Sequence, residues 1–424
     1  MRALAGAALA LVFFGGTARA ADDEPTPLPE ATVAGAANAP VPFSFRQPSG
    51  WYNLSSKVDV SGYILPQFEI VSIRTALPRD RTQYGVRGTR AGFAIYGSPW
   101  ADFSYIAHLV VAPAGVENVA LLATSSQPSV GFEIATTGAS LDFEEVSLAY
   151  RPARWAMVKA GFVRVPYSIG QTTPIPEQMF PFRPPITGEF QSGADASVIG
   201  SFKFFDDKLR FDLSTFLGSS LYYATLNFSP SGVSLTLPQT VRGPAFLAGV
   251  TFQPLGEMST REGDESRGPL RLSFGASGIY RRAKAFDPTG YEASNFDDVR
   301  IAAHARASYR GLYAQAEYLR RTRNDDVSGR ASKSEGAYIE ASYFAPITGT
   351  SLGFGPVARA SQIKTSAEFA PRTFRSLEAG LAFYPHARGK EPERLRILLE
   401  YFLARTSPLD ETMHEGVVQL QMMF

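Results

Sequence analysis

The final ten residues of the chain alternate between apolar and mostly polar positions. Val418, Leu420, Met422 and Phe424 share one parity, while a glutamate and two glutamines hold much of the other. Because successive side chains of a β-strand point to opposite faces, this pattern predicts a strand with one apolar face. A strand that ends on an aromatic residue is typical of the closing strand of a membrane β-barrel. An ordinary terminal strand of a β-sandwich is the alternative.

Similar alternation recurs along the chain from about residue 51. Two hairpins are clearest, one over 195–218 that turns at 206–208 and one over 301–321 that turns at 310–311. Each has a continuous apolar face that no helix-period segment covers, so a second sheet or lipid must cover it. Sixteen segments are predicted, at about 57–70, 84–97, 101–112, 141–150, 155–164, 195–205, 209–218, 245–253, 270–281, 299–309, 312–321, 336–345, 352–363, 375–384, 393–405 and 415–424.

The lengths of these segments and of their connections favour a barrel. Ten residues tilted by ~45° rise roughly 23 Å, close to the apolar band of a membrane barrel. Short and long connections alternate, as expected when turns lie on one side of a membrane and loops on the other. The connection 254–269 breaks this rhythm, because it is long where a short turn is expected. The predicted fold is therefore all-β, a transmembrane antiparallel β-barrel of sixteen strands.

Aromatic residues concentrate near the segment ends that short turns join. This distribution predicts one interfacial girdle, which a β-sandwich would not need. Its members are Tyr96, Trp100, Tyr150, Trp155, Phe204, Phe205, Tyr309, Tyr313, Phe344, Phe354, Phe383, Tyr384 and Phe424.

The start of the chain predicts export. Residues 1–20 have a positive start, a short apolar run and an A-x-A cleavage site, which together are typical of a secretory signal peptide. Residues 21–50 are rich in proline and alanine and predict a periplasmic linker. Residues 51–424 then form the barrel domain. The predicted location is the outer membrane of a Gram-negative-type bacterium.

Composition narrows the classes of function. The formal net charge is +1, and loss of the two signal-peptide arginines would make it −1, which argues against nucleic acid as a partner. The absence of cysteine excludes disulfides and thiolate metal sites. None of the four histidines lies in a recognisable catalytic or metal-binding motif. We therefore expect no enzyme activity, no metal and no cofactor.

Charges of both signs lie on the polar face of the predicted strands. A closed ring of sixteen strands is wide enough for water, so we expect a porin for passive diffusion of small solutes. A non-conducting structural or adhesive barrel is the alternative. Some of the charges are expected only to form cross-strand ion pairs. The candidate pore-lining residues are Arg90, Lys159, Arg306, Arg310 and Arg359.

The connection 165–194 is too apolar and proline-rich for a loop that moves freely in water. We expect it to fold back into the lumen and narrow the pore, with Arg183, Glu177 and Glu189 near the constriction. The alternative is that it packs outside the barrel against a neighbouring subunit.

Three stretches carry a family resemblance. They are an arginine-rich strand over 84–97, a strand with Gly161 and Pro166 over 158–168, and the pair Phe182-Arg183. With the final strand, they resemble the phosphate-selective porins O and P. The resemblance implies a trimeric, sixteen-stranded, anion-conducting channel in outer-membrane lipid. It also implies that barrel-assembly machinery reads the terminal aromatic Phe424.

The chain departs from that family in its basic residues. Only eight of its 41 basic residues are lysines, so the family's lysine ladder cannot be found. The arginine pair expected near 87–90 is interrupted by Gly88-Thr89. Arginine still binds phosphate well, but acidic residues on the same face offset the positive charge. The sequence therefore predicts a porin of modest anion preference, and phosphate itself remains open.

Overall fold

A computed structural model describes residues 58–424 with thirteen internal gaps. The gaps are 75–80, 86–89, 101, 114–138, 191–193, 218–224, 230–231, 237–240, 287–291, 327–329, 368–369, 388–393 and 408–410. The predicted signal peptide and linker lie outside the described residues. Within the described residues, no helix has the length and apolarity needed to cross a bilayer.

The described part is dominated by antiparallel strands, each held by hydrogen bonds to its neighbours in the ring. They are β1 (Val58–Leu65), β2 (Gln67–Arg74), β3 (Arg81–Gly85), β4 (Arg90–Trp100), β5 (Phe103–Pro113), β6 (Ala139–Ala153), β7 (Ala156–Arg164), β8 (Ala194–Phe204), β9 (Leu209–Phe216), β10 (Thr225–Ser229), β11 (Gly232–Thr236), β12 (Val241–Arg242), β13 (Ala245–Phe252), β14 (Arg271–Phe286), β15 (Glu292–Tyr309), β16 (Leu312–Asp325), β17 (Arg330–Tyr343), β18 (Ala345–Pro346), β19 (Gly353–Ala367), β20 (Ala370–Tyr384), β21 (Leu395–Ser407) and β22 (Glu411–Met423).

All of these strands except the hairpin β10–β11 belong to one sheet. The pairs β1/β2, β3/β4, β12/β13 and β17/β18 are each two parts of one barrel strand, so the described sheet contains sixteen barrel strands. Each of the sixteen predicted segments overlaps one of them. Several strands are longer than predicted, for example β15, which starts at Glu292 rather than near 299.

The last strand closes the ring. β22 pairs with β2 from Gln67↔Gln419 to Arg74↔Thr412, and with β1 at two further positions. Gly62 and Phe424 exchange two backbone hydrogen bonds of 2.9 and 3.0 Å. Closure leaves neither terminal strand with an unpaired edge, which is what a sheet in lipid requires. The predicted pairing of the first and last segments is confirmed.

The two faces of the ring differ as the alternation predicts. Large apolar side chains such as Leu148 and Leu213 are exposed on the outer face, whereas the inner face carries most of the charges. In β22, Val418 points outward and Gln419 and Gln421 point inward. Val417 interrupts the alternation, and it is buried on the inner face.

The short turns follow local backbone chemistry. Arg310 and Gly311 both have positive φ, of 48° and 97°, as a two-residue hairpin turn requires. Asp206 and Asp207 also adopt positive φ in the turn between β8 and β9. The turn expected at 98–100 lies later, because β4 continues to Trp100.

The predicted aromatic girdle needs correction at four positions. Tyr96, Tyr313, Phe344 and Tyr384 point inward and are buried. Tyr150, Trp155, Phe204 and several others are exposed on the outside near the short turns, as predicted. Aromatic residues of both groups lie near the short turns. Whether each points inward or outward depends on its odd or even place in the strand, because alternate side chains face opposite sides of the sheet.

Candidate pore and lumen loop

The connection between β7 and β8, residues 165–193, turns into the barrel; we call it the lumen loop. Its described part contains the α-helices Ile169–Thr172 and Pro185–Phe190 and the 3-10 helix Ile175–Glu177. Its composition predicted an inward fold, and the loop lies inside the ring rather than outside it.

Three apolar clusters hold the lumen loop against the inner wall. The largest joins it to β9 and to strands from β13 to β20, and the second joins it to β19, β20 and β21. The third reaches β1, β5 and β22 on the opposite side of the ring, so the loop spans the lumen. The loop residues in the clusters are Val165, Tyr167, Ile175, Met179, Phe180, Ile186 and Phe190.

A buried carboxylate fixes the first turn of the loop. Glu317 on β16 accepts hydrogen bonds from Ser168 Oγ at 2.9 Å, from the Ile169 N–H at 2.8 Å and from the Gly170 N–H at 3.3 Å. These donors lie at the start of a helical turn, where N–H groups lack partners within the helix. The side chain of Glu317 on the wall thus takes the place of a capping residue at the start of the helix Ile169–Thr172.

Arg183 ties the second half of the loop to the first. Its Nη1 donates to the carbonyl oxygens of Gly170 and Gln171 at 2.7 and 2.5 Å. The guanidinium is half-buried. The geometry therefore assigns Arg183 to the packing of the loop on itself.

Arg359 on β19 is the most deeply buried basic residue among those the structure describes, with 2% of its surface exposed. It forms a bidentate pair with Glu378, lies 3.7 Å from Glu340, and donates to the Phe182 carbonyl at 3.0 Å. Its guanidinium also lies 4.3 Å from the centre of the Phe180 ring. The lumen loop therefore covers this ion pair and shields it from water, unlike an ion pair on a protein surface.

A second connection enters the lumen from the end where the short turns lie. It comprises residues 253–270 between β13 and β14, and we call it the turn segment. The Glu262 N–H donates to the Glu177 carbonyl at 3.0 Å, and Glu262 Oε2 accepts from the Met179 N–H at 2.8 Å. This contact accounts for the length that the alternation of connections left unexplained.

The wall also holds the turn segment. Arg306 Nη2 donates to the Arg261 carbonyl at 3.0 Å, and the Gly311 N–H donates to Asp264 Oδ2 at 2.7 Å. The segment is thus fixed on both sides, by the lumen loop and by the wall near β15 and β16.

Burial perturbs the titration of the turn segment. Desolvation raises the pKa of the Glu262 carboxyl above its usual value. The hydrogen bond from the Met179 N–H and the positive charges of Arg359, Arg306 and Arg183 oppose that rise. Glu262 therefore lies buried at the junction of both inward segments, where the cost of desolvation outweighs the nearby arginines.

The wall from β6 to β9 differs from the covered wall because polar contacts within the wall, and few apolar contacts with the lumen loop, fill its inner side. Lys159 Nζ lies 2.6 Å from Glu145, and Arg210 Nε lies 2.9 Å from Asp212. Of these four strands, only β9 contributes to the described clusters, through Phe216. Lys159 and Asp212 are nevertheless buried, with 6% and 5% of their surface exposed.

Beyond the lumen loop, toward the long-connection end, basic residues outnumber acidic ones. Arg300 and Arg321 both bind Asp298, at 2.8 and 2.9 Å. Arg281 lies on the neighbouring strand β14, and its Nε and Nη2 atoms are buried without a hydrogen-bond partner. The alternation of single strands does not reveal this group, because cross-strand register brings its members together.

The remaining predicted site residues are dispersed. Arg90 is half-buried at the start of β4. Arg310 lies in the turn after β15 with an exposed side chain, 5.2 Å from the Tyr309 ring, and this corrects its predicted place in the pore. Glu189 lies in the helix Pro185–Phe190, and its side chain is outside the described residues. Among the described residues, no cluster of histidine and acidic side chains is arranged to hold a metal ion.

A ring of this kind, apolar outside and charged inside, defines the class of outer-membrane porin folds. The model of the family described as phosphate-selective porin O and P matches residues 277–424. The resemblance seen in the sequence is thereby confirmed over β14 to β22, most of whose inner wall is covered by the lumen loop. No curated protein sequence matches the chain.

Solved porin structures share the fold at low sequence identity. OprB of Pseudomonas putida aligns with a TM-score of 0.52 at 10% identity, over 87% of this chain and 94% of that one. The anion-selective porin of Comamonas acidovorans gives 0.50 at 11%, over 87% and 100%. OmpF of Salmonella typhi gives 0.50 at 14%, over 88% and 99%. At these identities the likeness shows the fold alone.

Proposed function

We propose that the protein is an outer-membrane porin through which small solutes diffuse passively. The observation that carries this proposal is the closed sixteen-stranded ring with an apolar outer face and a charged inner face. Lipid covers the outer face, and water and solutes pass through the interior of the ring.

The selectivity we propose is a weak preference for small anions. Arg281, Arg300 and Arg321 carry three positive charges beside the two carboxylates Asp298 and Asp195, which leaves one positive charge to favour anions at the long-connection end. The turn segment opposes this, because it contains four acidic and two basic residues. Phosphate is one candidate solute, as the family resemblance implies.

Planar bilayer recording of the purified protein tests the function. We expect stepwise conductance increases and a small reversal potential of the anion-selective sign in asymmetric potassium chloride. Replacing chloride with phosphate measures whether phosphate passes. Complete absence of steps, from protein that is shown to be folded, would favour the non-conducting structural or adhesive barrel instead.

The orientation and assembly follow from the same fold. We place the short turns and Phe424 at the periplasmic rim, where barrel-assembly machinery would read the terminal aromatic. Deleting Phe424 also removes its two backbone hydrogen bonds to Gly62. We expect lower membrane levels of the deletion variant, measured by immunoblot of outer-membrane fractions, and normal levels would contradict this role.

The oligomer and the processing are further parts of the proposal. The family resemblance supports a homotrimer, which light scattering of the detergent-solubilised protein would reveal as three times the chain mass. The signal-peptide prediction, with its linker over 21–50, expects the mature chain to begin at Ala21. Sequencing the amino terminus of the exported protein measures this directly.

A further inference from the structure

The turn segment is the longest connection at the short-turn end of the described barrel. Its neighbours at that end, such as 154–155 and 310–311, are only as long as a hairpin needs. A long connection that stayed in water would leave its side chains exposed. Instead, Met258, Glu262, Asp264 and Glu265 are all buried, with at most 8% of their surface exposed.

We propose that the turn segment is a second size-limiting element, which narrows the pore from the short-turn end and holds the lumen loop in place. This proposal rests on the channel function for its effect on conductance. Its effect on the lumen loop stands on the contacts alone.

The contact between the two segments is specific. Besides the two hydrogen bonds of Glu262, Thr260 Oγ1 donates to Glu177 Oε2 at 3.2 Å, and Thr173 Oγ1 donates to the Thr260 carbonyl at 3.4 Å. Backbone and side-chain groups of both segments are thus paired along a continuous junction. Losing the turn segment would leave the Met179 N–H without an acceptor inside the lumen, which is costly.

Close packing at the junction requires a glycine. Gly263 has a φ of 109°, which side-chain-bearing residues rarely adopt. A Cβ there would lie 2.9 Å from Met179 Sδ and 2.8 Å from Glu265 Oε1. The two segments therefore touch without room for a methyl group, as in a packed interior.

The wall anchors the turn segment independently of the lumen loop. Asp264 accepts from the Gly311 N–H at 2.7 Å, and the Arg310 N–H donates to the Gly268 carbonyl at 3.0 Å. Tyr384 Oη donates to Glu265 Oε1 at 3.3 Å. Because the segment is fixed to the barrel, it can hold the lumen loop rather than move with it.

Two variants of the full chain test the proposal in planar bilayers. The first replaces residues 257–267 by a Gly-Ser-Gly linker, and the second is Glu262→Ala. We expect the replacement to raise single-channel conductance about twofold or more, since pore width governs flux. We expect Glu262→Ala to give a smaller rise with noisier open levels. Glu257→Ala is the matched control, because Glu257 lies in the same segment with an exposed side chain.

A chemical readout separates this proposal from the channel function. The chain has no cysteine, so Met179→Cys introduces a unique thiol at the junction. Met179 is 3% exposed, and we expect a small methanethiosulfonate reagent to modify this thiol slowly in the otherwise native chain. Combining Met179→Cys with Glu262→Ala should accelerate modification about tenfold or more.

Each outcome decides something. Faster thiol modification without any conduction would support the junction and overturn the channel function. Unchanged conductance in the folded replacement variant would overturn the size-limiting role. Equal thiol reactivity with and without Glu262 would overturn the holding role. If the replacement variant fails to fold, the Glu262→Ala measurements decide both points.

Discussion

The inner wall of the barrel has two regions that differ in their side chains and in their contacts with the lumen loop. From β14 to β22 it carries apolar side chains and deeply buried charges such as Arg359, and the lumen loop covers it. From β6 to β9 it carries serines and compact ion pairs such as Lys159–Glu145. The first region is packed by apolar contacts with the lumen loop, and the second by polar contacts within the wall itself.

This difference bears on what limits passage through the ring. The lumen loop reaches from the wall of β9 to β20 to the wall of β1 and β5, so it restricts the cross-section of the lumen. The charges of the wall from β6 to β9 come as neighbouring opposite pairs, so their net field is small. We therefore expect size to limit passage more than charge does.

Of the changes considered, removal of the lumen loop should have the largest effect, and that effect is on single-channel conductance. Deleting residues 172–188 removes the loop side chains of the second and third clusters, and most of the loop's contact with Arg359. We expect a several-fold rise in single-channel conductance, because the covered wall would become water-facing. Heat-dependent mobility on gels would show whether the ring still closes. Unchanged conductance in a closed ring would end the constriction role of the loop.

Replacing one arginine in each region by glutamine should lower the free energy of unfolding by different amounts. Arg359→Gln leaves Glu378 and Glu340 without their partner under the loop, and should cost about 3–5 kcal/mol of unfolding free energy. Arg210→Gln breaks a pair whose arginine side chain is 25% exposed, and should cost about 1 kcal/mol or less. Denaturant unfolding of both variants in lipid vesicles measures the difference. Equal losses would contradict the distinction between the two regions of the inner wall.

The same unfolding assay measures how much the apolar contact of Phe180 with the wall stabilises the protein. Phe180 is 1% exposed and packs with Phe344 and Tyr384. Phe180→Ala should cost about 3 kcal/mol, whereas Phe180→Leu keeps most of the volume and should cost about 1 kcal/mol. A loss of less than about 0.5 kcal/mol for the alanine variant would mean that the second cluster does not hold the loop.

Sequence alternation predicted the ring well, because one face of every strand meets lipid. It could not predict the inward segments in detail. Val417 and Met423 depart from the alternation of β22, but Val417 is buried on the inner face, and Met423 packs against the third cluster, as Ile175 of the lumen loop does. Inward apolar residues of this kind are the signal that a loop covers the wall.

The candidate site was harder to predict than the fold. Arg183 and Glu177 fall inside the lumen loop, yet their contacts with Gly170 and with Thr260 depend on how the loop folds. The contact between the lumen loop and the turn segment joins residues about 80 positions apart. Alternation within single strands carries no information about such pairs.

The smallest effect is expected at Arg183, where packing and selectivity can be told apart. Its guanidinium donates to two loop carbonyls, so its positive charge is partly used inside the loop. Arg183→Ala should therefore raise open-channel noise, because the loop loosens. It should shift the reversal potential in asymmetric salt by much less than RT/F. Arg183→Lys keeps the charge but cannot reproduce both hydrogen bonds as a planar fork. If the lysine variant restores the reversal potential but not the noise, the charge of Arg183 contributes to selectivity. If the alanine variant leaves selectivity unaltered, Arg183 acts only in packing, and the weak anion preference must come from the group around Arg281.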